Sequence, residues 1–275
     1  MRYKLFIYSI VFLFCLSIQA QENSEEEWNN YLNQGLEYQS EGLYEESIEL
    51  FKKAIEIKPD YFHSYHNIGN SYCKLEKYVE AIYFYKKAIM IEPDSFLSHM
   101  SLGFAYAREG LYYKAVESYK KATKINTDSF KYYIDMGFCY SKIDSFDRAI
   151  EYYSKDINSN PFNAKTYYNL GIVYGKLDSI NKEIEYYEIA IAMNPDFAEA
   201  YLSLGATYLE FGSLKKTIEC YEEVTRIRPD DAEVHFALCV AYLKYGDKDS
   251  AIEVYKIIKE LDKELAKELF KYVYE

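Results

Sequence analysis

Apolar residues recur along the chain at the spacings of three and four that place side chains on one face of an α-helix. Residues 65–75 carry one such stripe and residues 81–89 carry a second, with a short polar turn between them. Pro93 ends the second stripe, because proline lacks an amide donor and restricts the residue before it. The pattern predicts two consecutive helices joined by a turn.

The pattern repeats every 34 residues, which predicts one structural unit copied in tandem. One slot of the first helix keeps a small residue in every unit: Gly35, Gly69, Gly103, Gly137, Gly171, Gly205 and Cys239. Glycine costs about 1 kcal/mol relative to alanine inside a helix, so we expect the two helices to cross there too closely for a Cβ atom. The predicted units are 28–61, 62–95, 96–129, 130–163, 164–197, 198–231 and 232–265.

These units resemble the tetratricopeptide repeat (TPR). The family's order of aromatic, Leu-Gly, Tyr, Ala, aromatic, Ala and Pro is matched in the second unit by Tyr65, Ile68-Gly69, Tyr72, Ala81, Tyr85, Ala88 and Pro93. The resemblance implies an all-α fold, a right-handed α-solenoid (superhelix) of seven helix-turn-helix units. It also implies a protein-binding module with no catalytic residues, no metal site and no cofactor.

The start of the chain does not follow the repeat. Arg2 and Lys4 precede an apolar run at 5–18, and Ala20 places a small residue before Gln21. This is the pattern of a signal peptide, and the run is shorter than the roughly 20 residues of a membrane-spanning helix. We expect residues 1–20 to be cleaved near Ala20-Gln21, which gives a protein that is periplasmic, outer-membrane-associated or secreted.

The flanks of the repeats carry two further predictions. Residues 21–27 read as a solvated acidic lead-in, and residues 266–275 continue a capping helix after the seventh unit. Lipidation at Cys15 is disfavoured, because the bulky Phe14 stands where lipidation sites have a small residue. Because residues 1–20 hold the apolar run and are expected to be cleaved, the mature chain is expected to contain no transmembrane span.

The formal charge of the chain is −12 and becomes −14 without Arg2 and Lys4. A strongly acidic chain does not suit general nucleic-acid binding, which relies on neutralising phosphates. The four cysteines of the mature chain occupy different repeat slots, and we expect buried thiols in place of a disulfide framework.

In the TPR family, the first helices of successive units line a concave groove that holds a partner segment. The resemblance places an apolar floor at Met100, Phe104, Ile134, Phe138, Tyr168, Ile172, Leu202 and Phe236. It places polar or basic side chains at His66, Asn70, Arg108, Lys131, Lys142, Lys165 and Lys176. Such a groove predicts a protein or peptide partner that is acidic and partly apolar.

Two groups of residues allow other chemistry. His63, His66 and Cys73 share one helical face and are reasonable zinc ligands, but no fourth ligand lies within sequence reach, so we interpret them as groove residues. Asp156 and Glu183 replace small residues in two repeat slots. They are read either as an acid–base pair or, with better support, as a loosened joint between the fourth and fifth units.

The sequence thus predicts an exported, non-enzymatic scaffold that binds a partner in its groove. One alternative is a recognition or regulatory subunit of a separately encoded enzyme, and a remote one is a metal-binding protein. The partner's identity and the oligomeric state are left open.

Overall fold

The structure is a computed structural model that describes residues 23–126 and 132–274. In these residues it contains fifteen α-helices and no β-strand. The helices are 23–41 (α1), Tyr44–Ile57 (α2), Phe62–Lys74 (α3), Tyr78–Ile91 (α4), Phe96–Arg108 (α5), Tyr112–Ile125 (α6), Tyr133–Lys142 (α7), Phe146–Ser159 (α8), Ala164–Lys176 (α9), Ile180–Met193 (α10), Ala198–Glu210 (α11), Leu214–Ile227 (α12), Ala232–Tyr245 (α13), Lys248–Leu261 (α14) and Lys263–Tyr274 (α15). The predicted signal peptide at 1–20 and Lys131 lie outside the described residues.

Each predicted unit contributes one helix pair in order, from α1 with α2 to α13 with α14, and α15 follows. The predicted all-α class and the tandem helix-turn-helix pattern are confirmed. Two boundaries differ. Helix α1 begins at residue 23 and takes in most of the expected lead-in, and α15 begins at Lys263, inside the predicted seventh unit. Glu25, Glu26 and Glu27 are nevertheless exposed, as an acidic lead-in would be.

The helices group into two compact parts, each much larger than one 34-residue repeat. We call them unit 1 and unit 2, call the 34-residue units repeats from here on, and describe the two parts separately. Unit 1 ends at Ile143 and contains α1–α7, whereas unit 2 begins at Asp144 and contains α8–α15.

The glycine slot has the close contact that its sequence predicts. A Cβ atom built on Gly69 would lie 2.5 Å from Cε1 of Tyr85, and one on Gly171 would lie 2.5 Å from Cδ1 of Tyr187. The same conflict, always with the aromatic ring sixteen residues later, recurs at Gly35, Gly103 and Gly205. The aromatic ring of each second helix therefore lies directly on the backbone of the first helix.

The turn inside each pair uses a left-handed residue. Gly42, Gly110, Gly212 and Gly246 have positive φ angles, and the same slot holds Glu76, Asp144 and Asp178 at φ angles of 58°, 56° and 53°. Left-handed backbone costs a residue with a Cβ roughly 1 kcal/mol or more, and glycine avoids that cost.

The predicted capping helix packs as a cap should. Asp262 accepts hydrogen bonds from the backbone amides of Glu264 and Leu265 at 2.9 and 3.0 Å, which starts α15. Leu269 and Val273 are buried in one cluster with Ile258 of α14.

Candidate functional site

In unit 1, the first helices present a row of side chains in one repeat slot. Leu36, Asn70 and Phe104 occupy this slot on α1, α3 and α5, and all three line one cleft of about 440 Å³. Phe138 holds the slot on α7. These four residues and the basic residues four positions later form one surface, which we call the first-helix face of unit 1. The basic residues are Lys74, Arg108 and Lys142.

The cleft combines apolar walls with a few oriented polar groups. The Tyr85 hydroxyl donates to Oδ1 of Asn70 at 2.8 Å and lies 3.4 Å from Sγ of Cys73. Burial raises the pKa of the Tyr85 hydroxyl far above its ordinary value, so it remains a neutral donor. Gln39, Ser40, Lys74 and Ser101 add further polar groups to the lining. Apolar walls with a few placed polar groups are the general form of a ligand-binding cleft.

The exposed phenylalanines of this face are held in a repeated arrangement. The rings of Tyr78 and Phe104 meet edge to face at 6.4 Å, and Nε of Arg108 donates to the Tyr78 hydroxyl at 3.1 Å. One repeat later, Tyr112 and Phe138 meet edge to face at 6.0 Å. Lys142 then lies 5.3 Å from the centre of the Phe138 ring. Each step therefore presents an aromatic ring beside a cation.

Tyr78 and Tyr112 are site residues that the sequence prediction missed. They begin α4 and α6, and a groove built from first helices alone does not include them. The signal was present in the sequence, since Tyr44, Tyr78 and Tyr112 stand 34 residues apart. Only the structure shows that these rings contact the predicted phenylalanines.

Two predicted groove residues in unit 1 are not available to a partner. Met100 is buried, and His66 is buried with its Nδ1 3.3 Å from Oγ of Ser98. Burial lowers the pKa of His66 to about 4, with a smaller contribution from His63, so its ring is neutral near pH 7. Both positions are corrected from groove residues to buried residues, and His66 lies between the first helices α3 and α5. Ile134 is half-buried.

In unit 2, the predicted residues separate into exposed cations and half-buried apolar groups. Lys165 and Lys176 are exposed. The half-buried groups are Tyr168, Ile172, Leu202 and Phe236. Tyr168 packs 5.1 Å from the ring centre of Phe197, which limits how far it can extend toward a ligand.

A second cleft lies at the end of unit 2. It has a volume of about 500 Å³ and lies between α13 and α15, with Phe236, Val240, Leu269 and Tyr272 among its lining residues. Tyr272 is 72% exposed, so its ring is accessible beside the predicted groove residue Phe236. Sequence reasoning assigned α15 only a capping role and missed this contribution.

An acidic residue near the start of α11 is paired within unit 2. Glu199 forms an ion pair with Arg228. A backbone hydrogen bond, followed by Arg228, lowers the pKa of Glu199. Glu199 therefore stays ionised, and the guanidinium of Arg228 compensates its charge.

Asp156 and Glu183 each hold a neighbouring helix. Asp156 is buried and accepts hydrogen bonds from Thr166 and, at 3.1 Å, from Asn163. Glu183 accepts from Thr207 at 2.9 Å and fills the space above Gly175, where a Cβ atom would lie 2.8 Å from its carboxylate. Each carboxylate thus links its helix to the first helix of the next repeat. Nothing in these contacts resembles an acid–base pair.

The alternative metal site gains no geometric support. Across residues 23–126 and 132–274, no three histidine, cysteine, aspartate or glutamate side chains are grouped so as to hold a metal ion. His66 turns toward Ser98, and Cys73 lies under the Tyr85 hydroxyl. Within the described helices, none has the length and apolarity of a membrane-spanning segment.

The cysteines are free thiols in the described residues. Cys139, Cys220 and Cys239 are buried, and Cys73 is half-buried. Burial raises the pKa of the Cys139 and Cys220 thiols to about 12, so these groups behave as small apolar residues.

Comparisons with known proteins place the repeats in one family. A TPR repeat model matches residues 35–75 and 69–110, and a second tetratricopeptide repeat model matches 98–129, 164–197 and 198–231. The last two ranges are those of the predicted fifth and sixth repeats. The comparison with curated proteins gives no match.

Among solved structures, the chain is similar to MamA at 30% identity and a TM-score of 0.54, over 60% of this chain and 97% of that one. A tetratricopeptide repeat protein from Parabacteroides merdae has a TM-score of 0.69 at 16% identity, over 91% of this chain and all of that one. A TPR repeat-containing protein from Cytophaga hutchinsonii has a TM-score of 0.67 at 20% identity, over 84% and 95% of the two chains. The last two similarities concern the fold alone.

Proposed function

This chain belongs to the tetratricopeptide repeat family, and from that premise we propose that it is an exported, non-enzymatic scaffold that binds an extended segment of a partner protein on its first-helix faces. Repeats of this family generally serve protein interaction. The observation that carries the proposal is the repeated step in unit 1, in which an exposed phenylalanine, a supporting tyrosine and a cation recur after one repeat.

The chemistry of these steps defines the partner class. Phe104 and Phe138 remain 44% and 38% exposed although their rings are held in place, so a partner's apolar side chains would displace water from them at little entropic cost. Lys74, Arg108 and Lys142 are exposed next to the rings. A segment with apolar anchors and acidic residues between them complements both features.

The cleft of unit 1 gives such a segment its first anchor point. Asn70 and Ser101 lie in its lining and offer hydrogen bonds to a peptide backbone, while Leu36 and Phe104 offer apolar contacts. In unit 2, the cleft beside Phe236 and Tyr272 is a second, separate surface of the same apolar kind. Each is a candidate site for one segment of a partner.

Peptide display on the purified protein tests the proposal. We expect selected sequences to be acidic with spaced apolar residues. Fluorescence polarisation should then show that Phe104→Glu and Phe138→Glu each weaken binding at least about tenfold, since a carboxylate would enter an apolar contact and repel an acidic ligand.

Phe162→Glu is the matched control, because Phe162 is 78% exposed in the turn before α9 and lies outside both clefts. It should bind the selected peptides like the parent protein. If the Phe104 and Phe138 variants keep parental affinity, the first-helix face of unit 1 is not the binding surface. A pull-down from cell extract tests the alternative named above. If the recovered partner has an enzyme activity, the chain is a recognition subunit of that enzyme.

Export is proposed from the signal-peptide pattern of residues 1–20 alone, because the repeats themselves carry no information about it. N-terminal sequencing of the protein recovered from cells should begin at Gln21. A protein that retains Arg2 and Lys4 would contradict export by this route.

A further inference from the structure

The second helix of the second repeat, α4, exposes an apolar stripe on the side away from the cleft. Val79, Tyr83 and Met90 are 65%, 56% and 74% exposed. They lie on the opposite side of α4 from Ala81, Tyr85 and Ala88, which are buried in the repeat. With Lys86 between Tyr83 and Met90, these residues form a continuous line along the helix, which we call the outer stripe of α4.

The other repeats show that the fold does not require this stripe. All six of the other repeats carry glutamate in the slot of Tyr83: Glu49, Glu117, Glu151, Glu185, Glu219 and Glu253. The slot of Met90 is charged or otherwise small or polar elsewhere, for example Glu56, Lys124 and Arg226. An exposed apolar row on a surface helix, opposite the face that the helix buries, marks an interaction surface. The outer stripe of α4 is therefore a local feature of one repeat that is built to be covered.

The spacing of the stripe fits a helix pair. Val79, Tyr83, Lys86 and Met90 follow the alternating four-and-three spacing of a coiled-coil seam. On one flank of this seam lie Glu80 and Lys87, and on the other lie Ile82 and Ile89.

We propose that the outer stripe of α4 binds the same stripe of a second copy of this chain, in an antiparallel pair related by a two-fold axis. In that register Val79 faces Met90 of the second copy, and Tyr83 faces Lys86 of the second copy. A lysine over a tyrosine ring is a favourable cation–π contact. Within its own chain, Lys86 lies 5.6 Å from the centre of the Tyr106 ring, so pairing exchanges one tyrosine ring for another. Such an isologous contact is the commonest form of homodimer.

Charge complementarity selects this orientation. In the antiparallel pair, Glu80 of one copy faces Lys87 of the other, and the symmetry repeats that opposite-charge pair. Ile82 likewise faces Ile89. In a parallel pair, Lys86 would face Lys86 inside the seam, which like-charge repulsion disfavours. No partner with a different sequence is needed to explain the arrangement of apolar and charged residues.

The size of the contact sets the expected strength. A helix of 14 residues is about 21 Å long, so one helix pair gives an interface near the lower end of those found in specific complexes. We expect a reversible dimer with a dissociation constant in the micromolar range.

Sedimentation velocity of the purified protein, from about 1 to 200 μM, tests the proposal. The parent should shift from monomer to dimer with concentration. Tyr83→Glu should raise the dissociation constant at least about tenfold, because it buries a carboxylate in the seam. The variant introduces the residue that the other six repeats carry, so its fold should be intact, as a circular dichroism melt can verify.

A charge exchange identifies the second copy as the occupant. Glu80→Lys and Lys87→Glu should each weaken the dimer, whereas the double variant Glu80→Lys/Lys87→Glu should restore it. Glu117→Lys on α6 is the control for a single charge change, and it should leave the dimer within about twofold of the parent. A parent that stays monomeric at 200 μM, a dimer unaffected by Tyr83→Glu, or a double variant no better than the single ones would each overturn the proposal.

Discussion

At the scale of single residues, packing between the two helices of a repeat depends on a glycine facing an aromatic ring. Gly69 gives Tyr85 room to lie on the α3 backbone, and Gly171 does the same for Tyr187. In the seventh repeat, Cys239 takes the slot and is fully buried with Sγ 3.4 Å from the backbone oxygen of Ala251. The slot therefore accepts a cysteine side chain in the seventh repeat, whereas a Cβ atom at Gly69 or Gly171 would overlap the facing ring.

Gly69→Ala should destabilise the protein although alanine is the better helix former. The added Cβ atom conflicts with the Tyr85 ring, which is backed by buried residues, and overpacking of this kind costs about 1–3 kcal/mol. The gain in helix propensity offsets about 1 kcal/mol of that. Urea unfolding should show a net loss of up to about 2 kcal/mol.

The double variant Gly69→Ala/Tyr85→Leu is the control for this steric explanation. Replacing the Tyr85 ring with leucine removes part of the steric conflict with the new Cβ atom. The double variant should therefore lose less unfolding free energy than the sum of the two single losses. Simple additivity would mean that the ring and the new Cβ atom do not interact.

His66 makes the stability depend on pH. Its pKa is lowered to about 4 in the folded state against an ordinary value of 6.5, so the unfolded chain binds the proton more tightly. The contribution of His66 is complete above pH 6.5 and is lost as the pH falls toward 4. The loss amounts to at most about 3 kcal/mol.

His66→Met removes this titration and introduces the residue that Met100 provides in the next repeat. Unfolding free energies should therefore fall more steeply in the parent than in the variant between pH 7 and pH 4. The carboxylates titrate in both proteins and cancel in the comparison. Parallel curves would show that His66 is protonated equally in the folded and unfolded chains.

At the scale of helices and turns, sequence periodicity predicted most of the architecture. Helix pairs, turns and the cap follow from apolar spacing, because each residue keeps its slot when one repeat is copied. The contact of Tyr78 with Phe104 was not predictable in the same way, since it joins the second helix of one repeat to the first helix of the next. Burial of His66 and Met100 was missed for a related reason: exposure within a slot depends on the neighbouring repeat.

The turn slot gives a prediction at this scale. Glu76 adopts the left-handed conformation that glycine takes at Gly42, Gly110, Gly212 and Gly246. Glu76→Gly should raise the unfolding free energy by up to about 1 kcal/mol, because it relieves the steric cost of a Cβ atom at positive φ. The reverse change, Gly110→Ala, should lower it by a similar amount, since nothing lies within 4 Å of the added Cβ atom and only backbone strain acts.

Thermal melts of the two variants measure both effects. Equal melting temperatures for parent and Glu76→Gly would mean that the glutamate gains as much elsewhere as it loses in the turn.

At the scale of the whole molecule, the two proposals use different sides of unit 1. The binding surface depends on exposed rings of the first helices, and the dimer surface depends on the outer stripe of α4. Tyr85 and Tyr83 illustrate the separation, because one lines the cleft and the other points away from it on the same helix. Each surface can therefore be removed by substitution without touching the other.

This separation predicts how the protein responds to clustered ligands. A dimer carries two copies of the first-helix face, so it should hold a dense layer of immobilised peptide more tightly than a single peptide in solution. Tyr83→Glu should keep the parental affinity for the free peptide and lose about tenfold or more on the dense layer. Phe104→Glu should weaken binding to both forms of the peptide at least about tenfold and still dimerise. Loss of both peptide binding and dimerisation in either variant would show that the two surfaces are one.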